Sequence, residues 1–319
     1  MTRGASMAPA TPRLSEPVAA RDSGARLDVW LQGRLPNLSR TRIQALVASG
    51  HVLVGGVRAK AARRLREGEL VEADVAPLPP EELLPEAIPL AVVYEDEHVL
   101  VIDKPAGMVT HPGAGRSTGT LAAAALAHAP GMAGVGGPRR PGIVHRLDKG
   151  TSGLVALAKT QTAYDRLTAA LAARRVTRRY VCLVRGDLRP ASGVVDKPIA
   201  RDARSRVRMA VARAGTGKRA VTRFRVLERL RGATLVECRL ETGRTHQIRV
   251  HLASLGHPLL GDETYGGRTR GGLPAALSDM DGVALHAIGL GFLHPVTGAP
   301  LEFSSPLPPR IEKLLSHLR

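Results

Sequence analysis

Two cysteines, Cys182 and Cys238, are all that the 319 residues contain. That is too few for a disulfide framework or a four-thiolate metal site, and both are expected as small core residues in a reduced compartment. Aromatic residues amount to only 3%, so stacking against nucleobases would rest on few rings and on guanidinium planes. No uninterrupted apolar run approaches the roughly 18 residues of a membrane-spanning helix, and the first residues lack the apolar core of a secretory signal. A cytoplasmic protein with no membrane partner is expected. Nucleotide-binding glycine loops are missing too: Gly215-Thr216-Gly217-Lys218-Arg219 has neither the leading Gly nor the following Ser/Thr of a P-loop, and no GxGxxG precedes a helix. Acidic residues are outnumbered, 28 against 46 basic ones, for a net charge of +18. Such a balance suits a polyanion, and nucleic acid is favoured over membrane. Length and 44% hydrophobic content allow one large domain and a small one.

Residues 1–22, rich in Ala, Pro, Ser and Thr, show no hydrophobic periodicity and are expected as a disordered extension. A small domain is expected over residues 23–75. Leu27, Val29, Trp30, Leu31 and Leu35 suit one helix face, and Ser39 can cap a second helix carrying Ile43, Leu46 and Val47, which Gly50 ends. His51 to Val57 reads as a hairpin around Gly55-Gly56, and Glu69 to Ala73 as a further strand. Arg26, Arg34, Arg40, Arg42, Arg58, Lys60, Arg63 and Arg64 make the unit basic. The phrase SRTRIQALVASGHVLVGG resembles the S-four RNA-binding module shared by a small-subunit ribosomal protein and tyrosyl-tRNA synthetases. The resemblance implies phosphate contacts that position RNA, Arg40 and Arg42 among them, whereas the plain alternative is a solvated basic face. Residues 76–89 hold five prolines among acids and read as a linker.

Residues 90–319 form the expected large domain. Leu90–Tyr94 and His98–Ile102 read as strands, Leu121–Ala129 as a helix, and the Gly-rich, basic segment 131–140 as a mobile loop facing RNA. Lys159–Arg174 suits a helix, and Arg178–Gly186 and Leu235–Leu240 suit strands. Residues 201–231 alternate Arg with small and apolar residues and contain only Asp202 and Glu228 as acids, as a basic ribbon along phosphates would. The stretch Pro141 to Gly153, PGIVHRLDKGTSG, reads as strand, loop, strand, with Asp148 among His145, Arg146 and Lys149. Neighbouring cations favour the ionised carboxylate and make it available as nucleophile or base; a turn-forming Asp is the bland alternative.

This string resembles the HRLD-[KR]-x-T-S/T-G signature of pseudouridine synthases of the RluA and RluD group. Further segments match in family order: DKPAG with His111-Pro112, Arg178-Arg179-Tyr180, GRTHQIRVH from Gly243 to His251, GDETYGG from Gly261, and Leu285-His286-Ala287 through Gly298. The likeness covers about residues 25–310. It departs from the family at Gly150, where many members have Asp, at the N-terminal extension, and at the Gly-rich insertion near residue 135.

The resemblance implies an α+β protein: a small N-terminal S-four-like domain, then a mixed, mainly antiparallel sheet with a central cleft. It implies Asp148 as the catalytic residue, Tyr180 in contact with the base, and Arg249 paired with Asp148. Ile248 would wall the uracil slot, and Arg146 would fill the stack vacated by a flipped uridine. His145 and Arg244 are further candidates for RNA contact. The segments around residues 103–113 and 261–267 are expected as cleft wall and scaffold. No cofactor is expected, and no metal, since His246 and His251 lack an intervening Glu. The expected protein is a monomeric isomerase acting on large-subunit ribosomal RNA and not on DNA. The alternatives are a transfer-RNA enzyme, a non-catalytic ribosome-assembly factor, and a glycoside-type hydrolase, which would need two carboxylates where the motifs supply only Asp148.

Overall fold

The computed structural model describes residues 13–36, 38–75, 83–113, 118–202, 205, 208–213, 215–266 and 282–319. The chain divides into two compact units, Met1–Pro80 and Glu81–Arg319.

The first unit contains β1 (Arg13–Pro17), α1 (Leu27–Arg34), α2 (Arg40–Ala48), β2 (Val52–Val54), β3 (Val57–Arg58) and β4 (Leu70–Asp74), with an antiparallel sheet in the order β1-β4-β2-β3. Leu27, Trp30 and Leu31 of α1 and Ile43, Leu46 and Val47 of α2 are buried with Val52, Val54, Leu65, Val71 and Ala73. The Ser39 hydroxyl accepts the Arg42 amide at 3.3 Å, which satisfies one of the open donors of α2. Gly55 and Gly56 both have positive φ (60° and 75°), as the tight turn between β2 and β3 requires.

The expected disorder of residues 1–22 is corrected from residue 13 onward. β1 pairs along its whole length with β4, and Val18 is buried behind it. An edge strand held by main-chain hydrogen bonds buries little of its own side chains, so it carries no hydrophobic period. Residues 1–12 lie outside the described set.

The second unit is built on a sheet of nine strands among the described residues. β5 (Val92–Glu95), β6 (Val99–Lys104), β7 (Ser152–Ala158), β14 (Leu285–Leu293), β8 (Thr177–Arg185), β13 (Ala233–Leu240), β12 (Val221–Leu230) and β9 (Ser192–Asp196) lie in that order, and β15 (Pro300–Ser304) pairs with β14. All pairings are antiparallel except β7 with β14. There Gly153 meets the Ala287 backbone with no room for a Cβ, and the Ser152 hydroxyl lies 3.0 Å from His286 Nδ1 and accepts from Arg310 Nη2 at 3.0 Å. β10 (Ile199–Arg201) and β11 (Met209–Val211) form a separate hairpin.

Helices cover both faces. α3 (Leu121–His128), α4 (Gln161–Ala172) and α5 (Gln247–Ser254) bury apolar side chains with Tyr180, Cys182 and Val184 of β8. α6 (Pro309–Leu318) places Ile311, Leu314, Leu315 and Leu318 against Val181 and Leu183 on the opposite face. Both cysteines are buried and unbridged.

Three local expectations change. Residues 83–89 of the expected linker are fastened to this unit: Leu83 joins its core, and the Glu86 carboxylate accepts the Gly119 amide at 2.9 Å. Residues 76–82 lie outside the described set. The Gly-rich segment 131–140 is also tied down, with Met132 buried and the Val135 carbonyl accepting the Gly142 amide at 2.8 Å; its glycines turn the chain tightly. Finally, the strand expected before Asp148 is reduced to one bridge, Ile143 with Leu157.

Asp28 of α1 has a fully buried carboxylate that accepts from Arg26 (3.0 Å), Arg40 (3.0 Å) and Gln44 (3.0 Å). The Arg26 hydrogen bond, joined by those of Gln44 and Arg40, holds the carboxyl well below its usual range against the opposing effect of burial. Asp28→Ala should therefore destabilise the first unit by about 1–3 kcal/mol at neutral pH. A depressed folded-state pKa contributes stability above the ordinary carboxylate value of about 4. The difference from wild type should be complete there and fade as pH falls through the folded value. Urea unfolding followed by fluorescence of Trp30, the one tryptophan of the chain, checks both expectations.

Candidate active site

A cavity of about 700 Å³ in the second unit is lined by Asp148, Tyr180, Ile248 and Arg249, and by Arg146, His145 and Arg244. Segments far apart in sequence build it. The loop 105–113 clamps the Asp148 loop from one side. The Thr110 hydroxyl donates to the Leu147 carbonyl at 2.7 Å and accepts the Leu147 amide at 3.3 Å, and the Gly107 amide donates to the Lys149 carbonyl at 2.8 Å. That loop is pinned by Lys104, whose fully buried ammonium donates to the Pro105 and Met108 carbonyls. Burial pushes Lys104 down to about 7, with the Asp148 charge opposing.

The other side comes from the turn before α5. Gln247 is buried with all four amide hydrogen bonds made: Oε1 accepts from the Thr242 hydroxyl and the Arg244 amide, and Nε2 donates to the Val221 carbonyl and the Thr222 hydroxyl. This fixes the start of α5, so the two following residues, Ile248 and Arg249, are delivered to the cavity wall. His251 is bonded to Thr222 and the Lys197 carbonyl, away from His246. Among the described residues no group of three His, Cys, Asp or Glu could hold a metal ion.

Arg249 Nη1 lies 3.4 Å from Asp148 Oδ2, so the pair expected from the sequence is brought together. The bidentate geometry, however, belongs to a different acid. Arg249 Nε and Nη2 bond Asp262 Oδ2 and Oδ1 at 2.7 and 2.9 Å. Burial works against the Arg249 charge, but the hydrogen bonds and charges of Asp262 and Asp148 outweigh it and leave the pKa raised. Asp262, taken from sequence as scaffold, is thus the residue that aims Arg249. Its signal was an acid one glycine after the apolar run Pro258-Leu259-Leu260.

Asp148 Oδ1 faces a second group that sequence reasoning set aside, His246 Nε2 at 3.9 Å. His246 has φ 57° at the head of α5, a strained setting for a residue with a Cβ. Tyr180 is buried in β8 and lines the cavity. Burial raises its phenol pKa, Arg178 opposes this and the Asp148 charge adds to it, so the phenol stays protonated at neutral pH. Arg178 itself is buried beside the cavity, and its Nε finds no hydrogen-bond partner among the described residues.

His145 does not serve as a cation next to Asp148. Its Nε2 accepts the Ala156 amide at 3.0 Å, and burial, with the nearby Arg178 charge, pushes it down to about 3. Its ring is bonded to the backbone of β7. Arg146 is exposed at the cavity, with Nη1 3.1 Å from His111 Nε2, and Arg244 donates Nε–H to the Arg219 carbonyl. Arg40, in the other unit, is held by Asp28, and Arg42 lies half-buried in α2.

The basic ribbon is weaker than its composition. Arg219, Arg223, Arg225 and Arg229 pair with Asp196, Glu241, Glu237 and Asp187, acids that neighbouring strands and loops bring alongside.

The family model described as RNA pseudouridylate synthase matches residues 98–254, and the S4 domain model matches residues 25–71. The chain is 45% identical over 294 residues to the Bacillus subtilis RNA pseudouridine synthase YlyB, covering 92% of this chain and 94% of the relative. It is 46% identical over 303 residues to Ribosomal large subunit pseudouridine synthase D of Xanthomonas campestris pv. campestris, covering 93% and 90%. Among solved structures, Human RNA Pseudouridylate Synthase Domain Containing 4 aligns with a TM-score of 0.55 at 28% identity, over 72% of this chain and 93% of that one. With an RNA-binding S4 domain ahead of a mixed, mainly antiparallel synthase domain, the chain belongs to the RNA pseudouridine synthase family of isomerases.

Proposed function

We propose that this enzyme converts specific uridines of large-subunit ribosomal RNA to pseudouridine, with Asp148 as the reacting carboxylate. The substrate class is supported by relatives of 45–46% identity named for the large ribosomal subunit. The observation that carries the site is the meeting of Asp148, Arg249 and Tyr180 around one cavity. We place the protein in the cytoplasm as a monomer that takes RNA and not DNA.

The reaction breaks the bond from C1′ to N1 of uracil, turns the base, and joins C1′ to C5. The C5 proton is given up, N1 recovers a proton, and nothing is oxidised. Asp148 serves either by attacking covalently or by removing a sugar proton. Arg249 neutralises and orients it, and being locked to Asp262 it holds its place when Asp148 reacts. Ile248 bounds the base slot. Tyr180, protonated, contacts the base as a hydroxyl and passes on the C5 proton only in concert with a second acceptor. Arg146, exposed beside Asp148, replaces the flipped base in the RNA stack. Arg244 contacts the strand at the cavity, and Arg42 and the face around Arg40 bind phosphates. His145, neutral and bonded to the Ala156 amide, lines the cavity without adding a charge to it.

Release of tritium from RNA labelled at uracil C5 tests this. Wild type should release it from ribosomal RNA, without free uracil, and Asp148→Asn should lower the rate by about 10³-fold or more. Release from transfer RNA alone would move the substrate class; binding without release from any RNA would favour an assembly factor. Arg146→Ala should lose activity on structured RNA and keep more of it on unpaired oligonucleotides, and undiminished activity on both would refute the stacking role. Asp262→Ala leaves Arg249 buried with its bidentate partner removed, so it should cost about 3–5 kcal/mol of stability. Circular dichroism during chemical denaturation, set against the smaller loss expected for Asp148→Ala, reads that difference.

A further inference from the structure

The turn that carries Asp262 also carries Tyr265. Asp262 Oδ1 accepts the amides of Thr264 and Tyr265 at 3.0 and 3.1 Å, which closes the turn. The Tyr265 phenol oxygen lies 2.9 Å from the Met209 amide of β11 and 2.8 Å from His246 Nδ1. A backbone amide can only donate, so the phenol oxygen accepts from Met209, and its own hydrogen is then available to Nδ1. A neutral imidazole that accepts at Nδ1 carries its hydrogen on Nε2. Nε2 is the atom 3.9 Å from Asp148 Oδ1. The rings of His246 and Tyr265 meet edge to face, with centroids 5.7 Å apart and an interplanar angle of 81°, which holds the plane of the imidazole. Both oxygens of Asp148 therefore face side chains anchored by one turn: Oδ2 faces Arg249, bonded to Asp262, and Oδ1 faces His246, bonded to Tyr265.

We infer that His246 is a positioning residue for Asp148, its tautomer set by Tyr265, and that its Nε2–H closes onto Oδ1 when RNA fills the cavity. This rests on the reading of Asp148 as the reacting group. Hydrogen bonds at reacting groups are commonly long in a free enzyme and tighten on the substrate complex, and 3.9 Å leaves that closure to substrate binding. Burial lowers the His246 pKa; Arg249 and Arg146 add to this, and Asp148 and Asp262 oppose it. The ring is thus a neutral donor at neutral pH. It orients the carboxylate without adding a charge that reaction would strand. Because Met209 belongs to the β10–β11 hairpin, the same phenol ties this donor to a segment of the basic stretch 201–231.

The test is the pH profile of single-turnover tritium release with the full chain and saturating RNA, with RNA affinity and melting measured alongside. A hydrogen bond to a carboxylate favours its ionised form, so His246→Ala should move the acid limb of the profile upward by about one pH unit. RNA affinity should stay unchanged. His246→Gln, whose side-chain amide can present an N–H near the position of Nε2, should bring the limb back toward wild type. Tyr265→Phe keeps the ring and loses the hydroxyl, and should fall between. An unmoved acid limb in a folded His246→Ala, or a folded His246→Gln no better than Ala, overturns the inference. If His246→Ala or His246→Gln melts early, Tyr265→Phe decides: a limb identical to wild type overturns it. Asp148→Asn run in parallel separates the two readings. An active Asp148→Asn removes the premise, whereas an inactive one with an unmoved His246→Ala profile removes only the role of His246.

Discussion

The pair between Arg249 and Asp262 is the constraint on which the site depends. A guanidinium cannot be taken out of water without a partner, and a buried ion pair contributes little net stability compared with apolar packing of the same volume. Its return here is orientation. With Nε and Nη2 committed to Asp262, only Nη1 remains for Asp148, and it is delivered from one direction. The loop that carries Asp148 is fixed independently, through Thr110 and Gly107 on its other side. The carboxylate is thereby placed by two frames, the clamped loop that carries it and the turn that carries Asp262.

The sheet supplies the rigidity both frames need. β8 is buried on its two faces, Tyr180, Cys182 and Val184 in one core and Val181 and Leu183 in the core that α6 joins. Tyr180 therefore stands on a strand that cannot shift without disturbing two cores. The saturated amide of Gln247 does the same for α5 at smaller scale. Strain is admitted at His246, next to Asp148, where the surrounding hydrogen bonds over-determine it.

Much of this was legible in the sequence. The two helices of the first unit follow from the spacing of Leu27, Trp30, Leu31, Ile43, Leu46 and Val47. The Asp148 motif could be read because its signature is contiguous, and Arg249 because the family resemblance pairs it with Asp148. What escaped depends on partners distant in the chain. Asp262 and Tyr265 act only through residues they meet in space, so their short segment reads as scaffold. His145 was misplaced for the converse reason, since three positions in a loop do not set a side chain's direction. The arginines of β12 seemed available because sequence order hides the acids opposite them. β1 and the packed residues 83–89 are held chiefly by backbone hydrogen bonds, which leave no hydrophobic period. The helix α6 is equally legible, with Ile311, Leu314, Leu315 and Leu318 on one face.

The parallel meeting of β7 with β14 sets an order of events. Ser152, four residues after Asp148, is bonded to His286, 134 positions further along, and to Arg310 near the end of the chain. Closing so long a loop is a non-local step that cannot precede emergence of those residues during synthesis. The sheet and core of the first unit have no such dependence, since their pairings and buried side chains lie between Arg13 and Val75. A nascent chain can thus fold its RNA-binding module well before the loop of Asp148 is secured, which waits for residues as late as Arg310.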